Sequence, residues 1–495
     1  MNRRVALRRL TRSTAMRRPL ALAVLLLLAL AAPASARDVT ITSFDGTQIK
    51  ASFHPAAAGK RAPTILQTHG WGGTREKSAE GASSEQTGNV GTAALRKAGF
   101  NVLTWDSRGF GDSGGTVTVD YKGNEGRDVK ALISWLAKQP EARLDKRNDP
   151  RVGMHGVSYA GGIELVSAGI DKRIDAIAPS IAWHSLLTSL YREETIKGGW
   201  SALLFAAGQT GQLDPHITSA FGSGATTGKL SAEDRAWFAS RGPAELVDRI
   251  RVPTLLLQGT PDTLFTPTEA ITNYGILRGN RVPVKMVWFC GGHGTCLTGS
   301  GPAGHFEQRV IAWLQRYVMR RKKVSTGPGF EWLADDAVWR SSKRFPPRRG
   351  TPVTGEGSGT LLVSPADVLS GLPLAATPAV NAVNVAIPEA TAQVVGRPRL
   401  QLTYSGTGTA THVFAQIVDE KRNLVLGNQV TPIPVTLDGA SHTIGRRLEG
   451  VAASLAPGGR YRLQLIGGSQ VYGPVRGVGA ITFSAARISL PTVAP

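Results

Sequence analysis

Ser158, Asp262 and His293 each stand in a short stretch of small residues: Gly156-Val157-Ser158-Tyr159-Ala160-Gly161, Gly259-Thr260-Pro261-Asp262-Thr263 and Cys290-Gly291-Gly292-His293-Gly294. A serine hydroxyl is a poor nucleophile at neutral pH. It needs a base to take its proton, and the base needs an acid to orient it and balance its charge. With such partners it can attack a carbonyl and pass through an acyl-enzyme. The tetrahedral intermediate needs two hydrogen-bond donors. The backbone N–H of Tyr159 is one; the backbone N–H of Trp71, in His69-Gly70-Trp71-Gly72-Gly73, is the expected second. Of nine histidines, His293 is the one on a strand-end loop flanked by glycines, and His305, at the start of a helix, reads as structural. Glu193 and Glu194 are candidates to hold a substrate amine, against a solvated helix face. Trp183, Trp200, Leu203 and Phe205 are candidates to line an apolar acyl pocket. Asp106, Arg108 and Asp112 read as ties of a glycine-rich loop beside the site. The chemistry calls for no metal and no cofactor.

The elements that must position these residues are legible as alternating strands and helices. Arg151–Val157 reads as a buried strand, Ser158 as a sharp turn, and the residues after it as a helix: the nucleophile elbow of an α/β-hydrolase, where chain order is serine, acid, histidine. Other strands are expected at Pro63–His69, Phe100–Trp105, Ile174–Pro179, Val252–Gln258 and Val284–Phe289, after a hairpin formed by Val39–Thr42 and Gln48–Phe53. Val129, Leu132, Ile133 and Leu136 predict a helix over 124–138, and Phe306, Val310, Trp313, Leu314 and Tyr317 a last one. Asp262 and His293 follow consecutive strands, and the C-terminal ends of parallel strands share one edge, so the three loops converge. Residues 184–250 lack strands and carry helical segments at Leu186–Tyr191, Trp200–Ala207 and Ala232–Ala239, as an inserted lid would. Residues 37–323 are therefore expected to form the hydrolase domain. Residues 324–350 read as a Pro/Gly/Arg-rich linker, and 351–495 as an all-β, jelly-roll-like sandwich domain.

Residues 1–36 read as an export signal peptide: seven arginines without an acid, the apolar run Leu20–Ala32, then Ala34-Ser35-Ala36. Arg17-Arg18 leaves a twin-arginine route open. The expected location is periplasmic or extracellular, with no stable membrane span after signal removal. Removing the signal lowers the formal net charge from +21 to about +14. The remaining cations are scattered apart from Arg320–Lys323 and the stretch near Arg348, read as a solvated helix end and linker. Nucleic acid is not an expected partner. Cys290 and Cys296, an even pair in an exported chain, suggest a disulfide that closes the loop presenting His293.

Gly156-Val157-Ser158-Tyr159-Ala160-Gly161 resembles the G-x-S-Y-x-G elbow of the X-prolyl dipeptidyl-peptidase and cocaine-esterase group of serine hydrolases. Asp106-Ser107-Arg108-Gly109, Gly111-Asp112-Ser113-Gly114, Trp135-Leu136 and the β-rich region after Phe330-Glu331-Trp332 are similar to that group as well. The resemblance implies a Ser-Asp-His triad at Ser158, Asp262 and His293. It implies cleavage of X-Pro dipeptides from peptide N-termini or, alternatively, hydrolysis of small esters. Several members donate to the oxyanion from a first-loop tyrosine; this loop has none, which points to a backbone donor at Trp71. A secreted binding protein with an inert hydrolase fold is the alternative from another class. The intact Ser-Asp-His order argues against it.

Overall fold

The computed structural model describes residues 36–56, 60–365 and 375–494. The expected signal peptide lies outside these residues except for Ala36. The first part of the chain builds β1 (Arg37–Thr42), β2 (Gln48–His54), β3 (Thr64–Thr68), β4 (Asn101–Trp105), a short hairpin of β5 (Leu144–Lys146) and β6 (Asp149–Pro150), β7 (Val152–Val157), β8 (Ile174–Ser180), β9 (Thr254–Gly259), β10 (Val284–Phe289), β11 (Phe330–Leu333) and β12 (Trp339–Ser342). All but the hairpin join one ten-stranded sheet ordered β1-β2-β4-β3-β7-β8-β9-β10-β11-β12. Its centre is parallel from β4 to β11, and antiparallel pairs close both edges.

Adjacent residues of a strand point to opposite faces, and the sheet is apolar on both. Leu66 and Leu256 face helices α2 (Glu125–Leu136), α3 (Tyr159–Ile170) and α8 (Pro267–Gly279). Their neighbours Ile65 and Leu255 face α1 (Thr92–Lys97) and α9 (His305–Tyr317). The near-continuous apolar runs of these strands follow from burial on both sides.

Between β8 and β9 lie α4 (Leu186–Leu190), α5 (Gly198–Gly208), α6 (Pro215–Thr227) and α7 (Ala232–Ala239). Three match the expected helical segments. The fourth, α6, is rich in Gly, Ser and Thr and hides from apolar periodicity. Its start was nevertheless written in Asp214-Pro215: the Asp214 carboxylate accepts from the N–H of His216 at 3.0 Å, and proline takes the first helical position.

The stretch 324–350, expected as a linker, carries β11 and β12 and extends the main sheet. Phe330 and Trp332 are buried against it, and Glu331 meets Lys285 and Arg309. Flanking prolines and glycines masked two strands of four residues each.

The remainder is all-β: β13 (Val353–Val363), β14 (Ala382–Ile387), β15 (Ala392–Gly396), β16 (Arg399–Gly408), β17 (His412–Asp419), β18 (Leu424–Pro434), β19 (His442–Arg447), β20 (Val451–Leu455), β21 (Tyr461–Ile466) and β22 (Gly479–Leu490). Two four-stranded antiparallel sheets, ordered β13-β22-β16-β19 and β14-β21-β17-β18, share one core, with β15 and β20 paired beside them. Leu361, Leu402 and Phe483 enter that core from one sheet, Val385, Ile417 and Leu463 from the other. A further apolar cluster joins this region to the hydrolase part: Phe414, Ile466 and Tyr472 pack with Trp183, Trp200 and Phe265. Among the described residues, no helix is long and apolar enough to cross a membrane.

Candidate active site

Ser158 sits between the end of β7 and the start of α3 with φ 58° and ψ −117°, a conformation that costs energy for any residue but glycine. The strand and helix are consequently close. A Cβ on residue 156 would come within 2.5 Å of the Ala160 Cβ, which explains the glycine before the serine and the small residue after it.

His293 joins the other two candidates. Its Nε2 lies 2.7 Å from Ser158 Oγ and its Nδ1 2.7 Å from Asp262 Oδ2. A carboxylate can only accept, so Nδ1 carries the proton and Nε2 is the acceptor for the serine hydroxyl. Asp262 is fully buried. Its Oδ1 accepts from the N–H groups of Leu264 at 3.0 Å and Phe265 at 2.9 Å, and its Oδ2 also accepts from the N–H of His293 at 3.1 Å. Residue 292 has φ 102°, and a Cβ there would strike Asp262 Oδ2 at 2.7 Å, so glycine is required for the approach. Cys290 and Cys296 are disulfide-bonded across this loop. Phe265 and Trp200 contact the imidazole edge-on, with ring centroids at 5.1 and 6.0 Å.

Three further residues hold the loops, and the sequence reading missed all of them. The Gln86 amide donates to the carbonyls of Gly292 at 3.1 Å and Gly294 at 2.8 Å. On the acid loop, the Gln429 amide, from β18, donates to the carbonyls of Thr260 and Asp262, each at 2.9 Å. Lys197, at the base of α5, donates from Nζ to the carbonyls of Thr263 at 2.7 Å and Leu264 at 2.8 Å. Burial lowers the Lys197 pKa to about 8. Behind it, burial pushes the Glu449 carboxyl up, but Arg192, 2.6 Å away, the Thr268 hydroxyl and Lys197 outweigh that and hold it below its ordinary value. No local motif marks these residues, because each acts on a partner far away in sequence.

Tyr159 occupies the first position of α3, where a backbone N–H has no intrahelical acceptor. Trp71 follows β3, its ring packed edge-on against Tyr159 with centroids 5.3 Å apart and its Nε1 donating to the Leu204 carbonyl at 2.7 Å. Ser158, Tyr159 and Trp71 share the wall of one cavity of about 620 Å³. The helical segment between β8 and β9 supplies Leu186, Leu190, Leu204 and Phe205, and the β region supplies Phe414. Trp183 lines the cavity as expected. Trp200 does not; its indole N–H is bound to Thr263 Oγ1 at 3.0 Å, and its ring braces His293. Leu203 points away, 44% exposed, and Leu204 takes its place. Glu194 is on the wall, bound to Arg235 at 2.9 Å. Glu193 is off it; its backbone carbonyl faces His412 Nε2 at 2.7 Å.

The Asp106–Gly114 loop is tied as expected. Arg108 binds Asp128 at 2.7 Å and Asp45 at 3.0 Å, and Arg75 binds both Asp106 and Asp112. His305 is remote from the site, stacked on Trp339 and facing Glu331 at 3.3 Å.

A family model described as X-Pro dipeptidyl-peptidase (S15 family) matches residues 45–295. An α-amino acid ester hydrolase is similar in structure with a TM-score of 0.71 at 14% identity, over 96% of this chain and 100% of that one. An aminopeptidase from the marine sediment archaeon Thaumarchaeota archaeon gives 0.70 at 12% identity, over 93% and 96%. A CocE/NonD family hydrolase from Staphylococcus aureus gives 0.65 at 12% identity, over 92% and 93%. These likenesses establish an α/β-hydrolase fold followed by β sheets along nearly the whole described chain. Among curated proteins, the quorum-quenching protein AidA of Acinetobacter baumannii (strain MDR-ZJ06) is 31% identical over 139 residues, 27% of this chain and 40% of that one. An uncharacterized 31.7 kDa protein in the traX-finO intergenic region of Escherichia coli is 31% identical over 90 residues, 18% of this chain and 30% of that one. The chain thus spans less than half the length of these curated relatives.

Proposed function

For a chain that belongs to the X-Pro dipeptidyl-peptidase (S15) family, we propose hydrolysis of an acyl bond by Ser158, His293 and Asp262 through an acyl-enzyme. The observation that carries this reading is the unbroken chain of hydrogen bonds from Ser158 Oγ through both imidazole nitrogens to Asp262, 2.7 Å at each step. Ser158 Oγ attacks the substrate carbonyl carbon while its proton passes to His293 Nε2. Asp262 balances the imidazolium. The oxyanion accepts from the N–H groups of Tyr159 and Trp71. His293 then gives its proton to the leaving oxygen or nitrogen, and the carbonyl re-forms as an ester on Ser158. In the second half, His293 takes a proton from water, the resulting hydroxide attacks the acyl carbon, and the released Ser158 oxygen recovers the proton.

Two substrate classes fit this chemistry. X-Pro dipeptidyl cleavage is the one the family description names, and Glu194 on the cavity wall is its candidate anchor for the peptide amine. Carboxylester hydrolysis is favoured by the apolar lining of the cavity. The order of the two C-terminal sheets supports reading residues 351–495 as a jelly roll. The basic and apolar start of the chain supports export with cleavage after Ala36, which N-terminal sequencing of the mature protein tests.

The activity is tested on residues 37–495 with short-chain nitrophenyl esters and with Ala-Pro and Gly-Pro anilides, Ser158→Ala serving as blank. Turnover of either set, with fluorophosphonate labelling of Ser158, is the expected result. Asp262→Asn is expected to lower kcat by roughly 10³–10⁴, because an amide leaves the imidazole in the wrong tautomer. An unlabelled Ser158 with no turnover would restore the inert binding protein as the better reading.

A further inference from the structure

We infer that the acyl group taken by this cavity is neutral and apolar, with no ammonium beside its carbonyl. The inference rests on the reading of Ser158 as the nucleophile and adds the charge of what Ser158 attacks.

An α-ammonium bound next to the scissile carbonyl would leave water for a largely apolar cavity. That is costly unless a carboxylate near Ser158 is available to pair with it. Among the described residues, Glu194 is the acidic residue on the cavity wall. Its Oε1 is already bound by Arg235 at 2.9 Å, and both side chains are about half exposed, at 55% and 53%. Water and the guanidinium therefore satisfy this carboxylate before any substrate arrives. The first turn of α3, beside the serine, holds no acid. Asp120 and Glu125 lie behind Tyr159 and off the wall; burial holds both above the usual carboxylate range.

The other charges on the wall are positive. Lys229 and Arg476 line the cavity, and neither is ion-paired among the described residues. Arg476 donates from Nη1 and Nη2 to the carbonyls of Gly224, Ala225 and Thr226 at the end of α6, whose dipole offsets part of its charge but supplies no carboxylate to a substrate amine. An ammonium entering the cavity meets net positive charge and no open carboxylate. A neutral acyl chain meets Leu186, Leu190, Leu204, Phe205, Phe221 and Phe414. A volume of about 620 Å³ suits a group well beyond acetyl in size.

A matched pair of nitrophenyl esters isolates the amine: L-phenylalanine against 3-phenylpropanoate, with acetate as the small control, at a pH of about 6 where the amine is protonated. For residues 37–495, kcat/KM for 3-phenylpropanoate is expected to exceed both others by roughly tenfold or more. Arg235→Ala uncovers Glu194 and is expected to narrow the gap between the matched pair by roughly threefold or more. Adding Glu194→Gln to that variant is expected to reopen it. A phenylalanyl ester cleaved as fast as its matched partner, a preference for acetate, or a gap indifferent to Arg235→Ala would each overturn the inference while leaving the hydrolase intact. No turnover of any ester, with Ser158 unlabelled by a fluorophosphonate, would instead overturn the hydrolase reading and this inference with it.

Discussion

The side-chain amide of Gln429 donates to the backbone carbonyl of Asp262 at 2.9 Å. Gln429 belongs to the β region and Asp262 to the loop after β9, 167 residues earlier. The two C-terminal sheets therefore do more than follow the hydrolase part; one of their strands binds the backbone of Asp262, whose carboxylate meets His293 Nδ1. Gln429→Leu is expected to lower kcat roughly 10- to 100-fold while KM stays within about twofold, because a loosened acid loop misplaces the base without touching the acyl cavity. Steady-state ester hydrolysis checks this. A rise in KM at constant kcat would assign Gln429 to substrate binding instead.

Lys197 grips the same loop from the start of α5. It is buried among Glu449, Arg192, Glu269 and Asp262, over the ring of Tyr472, and burial brings its pKa down to about 8. The charged form is the stronger donor to the carbonyls of Thr263 and Leu264. kcat is therefore expected to decline as pH rises through about 8, and Lys197→Met is expected to lower kcat and to lose that limb of the profile. The sign for stability is opposite. Between pH 8 and 10.5 the unfolded chain binds more protons at this residue than the folded one, so the cost of burying the charge is greatest below pH 8 and fades above it. Denaturant unfolding measured across that range, beside the pH–rate profile, separates the two effects.

The Cys290–Cys296 disulfide closes a short loop, six residues apart, around His293. A double alanine variant is expected to lose about 2 kcal/mol of unfolding free energy by loop entropy. It should lose kcat as well, since the imidazole is held by this loop. Chemical denaturation and ester turnover on the same preparation test both parts. An unchanged kcat would mean that Gln86 and Asp262 suffice to hold His293.

Glu331 anchors β11 to the main sheet. Burial raises its pKa, but His305, Arg309 and Lys285 outweigh that and bring the carboxyl down to about 2. A depressed carboxylate stabilises the fold above its unfolded value of 4.5, and the contribution is lost as pH falls from there through about 2. The amount at stake is on the order of 3 kcal/mol. Glu331→Gln is expected to be less stable at pH 7 by a similar amount and to show a shallower loss between pH 4.5 and 2. Denaturant midpoints across that range are the measurement.

Much of the fold and the candidate site was legible because the signals are local. Small residues crowd the turn at Ser158, and two strand-end loops present Asp262 and His293 in hydrolase order. Short buried apolar runs marked the central strands within a residue or two of their ends. Where the local signal failed, the cause is visible. Pro/Gly-rich flanks masked β11 and β12. The polar surface of α6 left it without periodicity. Trp200 is aromatic and near the site, but its indole N–H points to Thr263 rather than its ring to the cavity.

Sequence alone determined which three residues could form the hydrogen-bonded set, since a nucleophile elbow and the chain order of its partners are properties of short segments. Tertiary structure decided what holds the set and what it faces. Gln429 and Lys197 bind carbonyls of the acid loop across 66 to 169 residues of chain. Arg235 meets Glu194 from 41 residues away. A backbone carbonyl carries no residue identity, and an ion pair between two surface charges carries no spacing rule. Such contacts come into being only when the helices between β8 and β9, the sheet and the β region pack together.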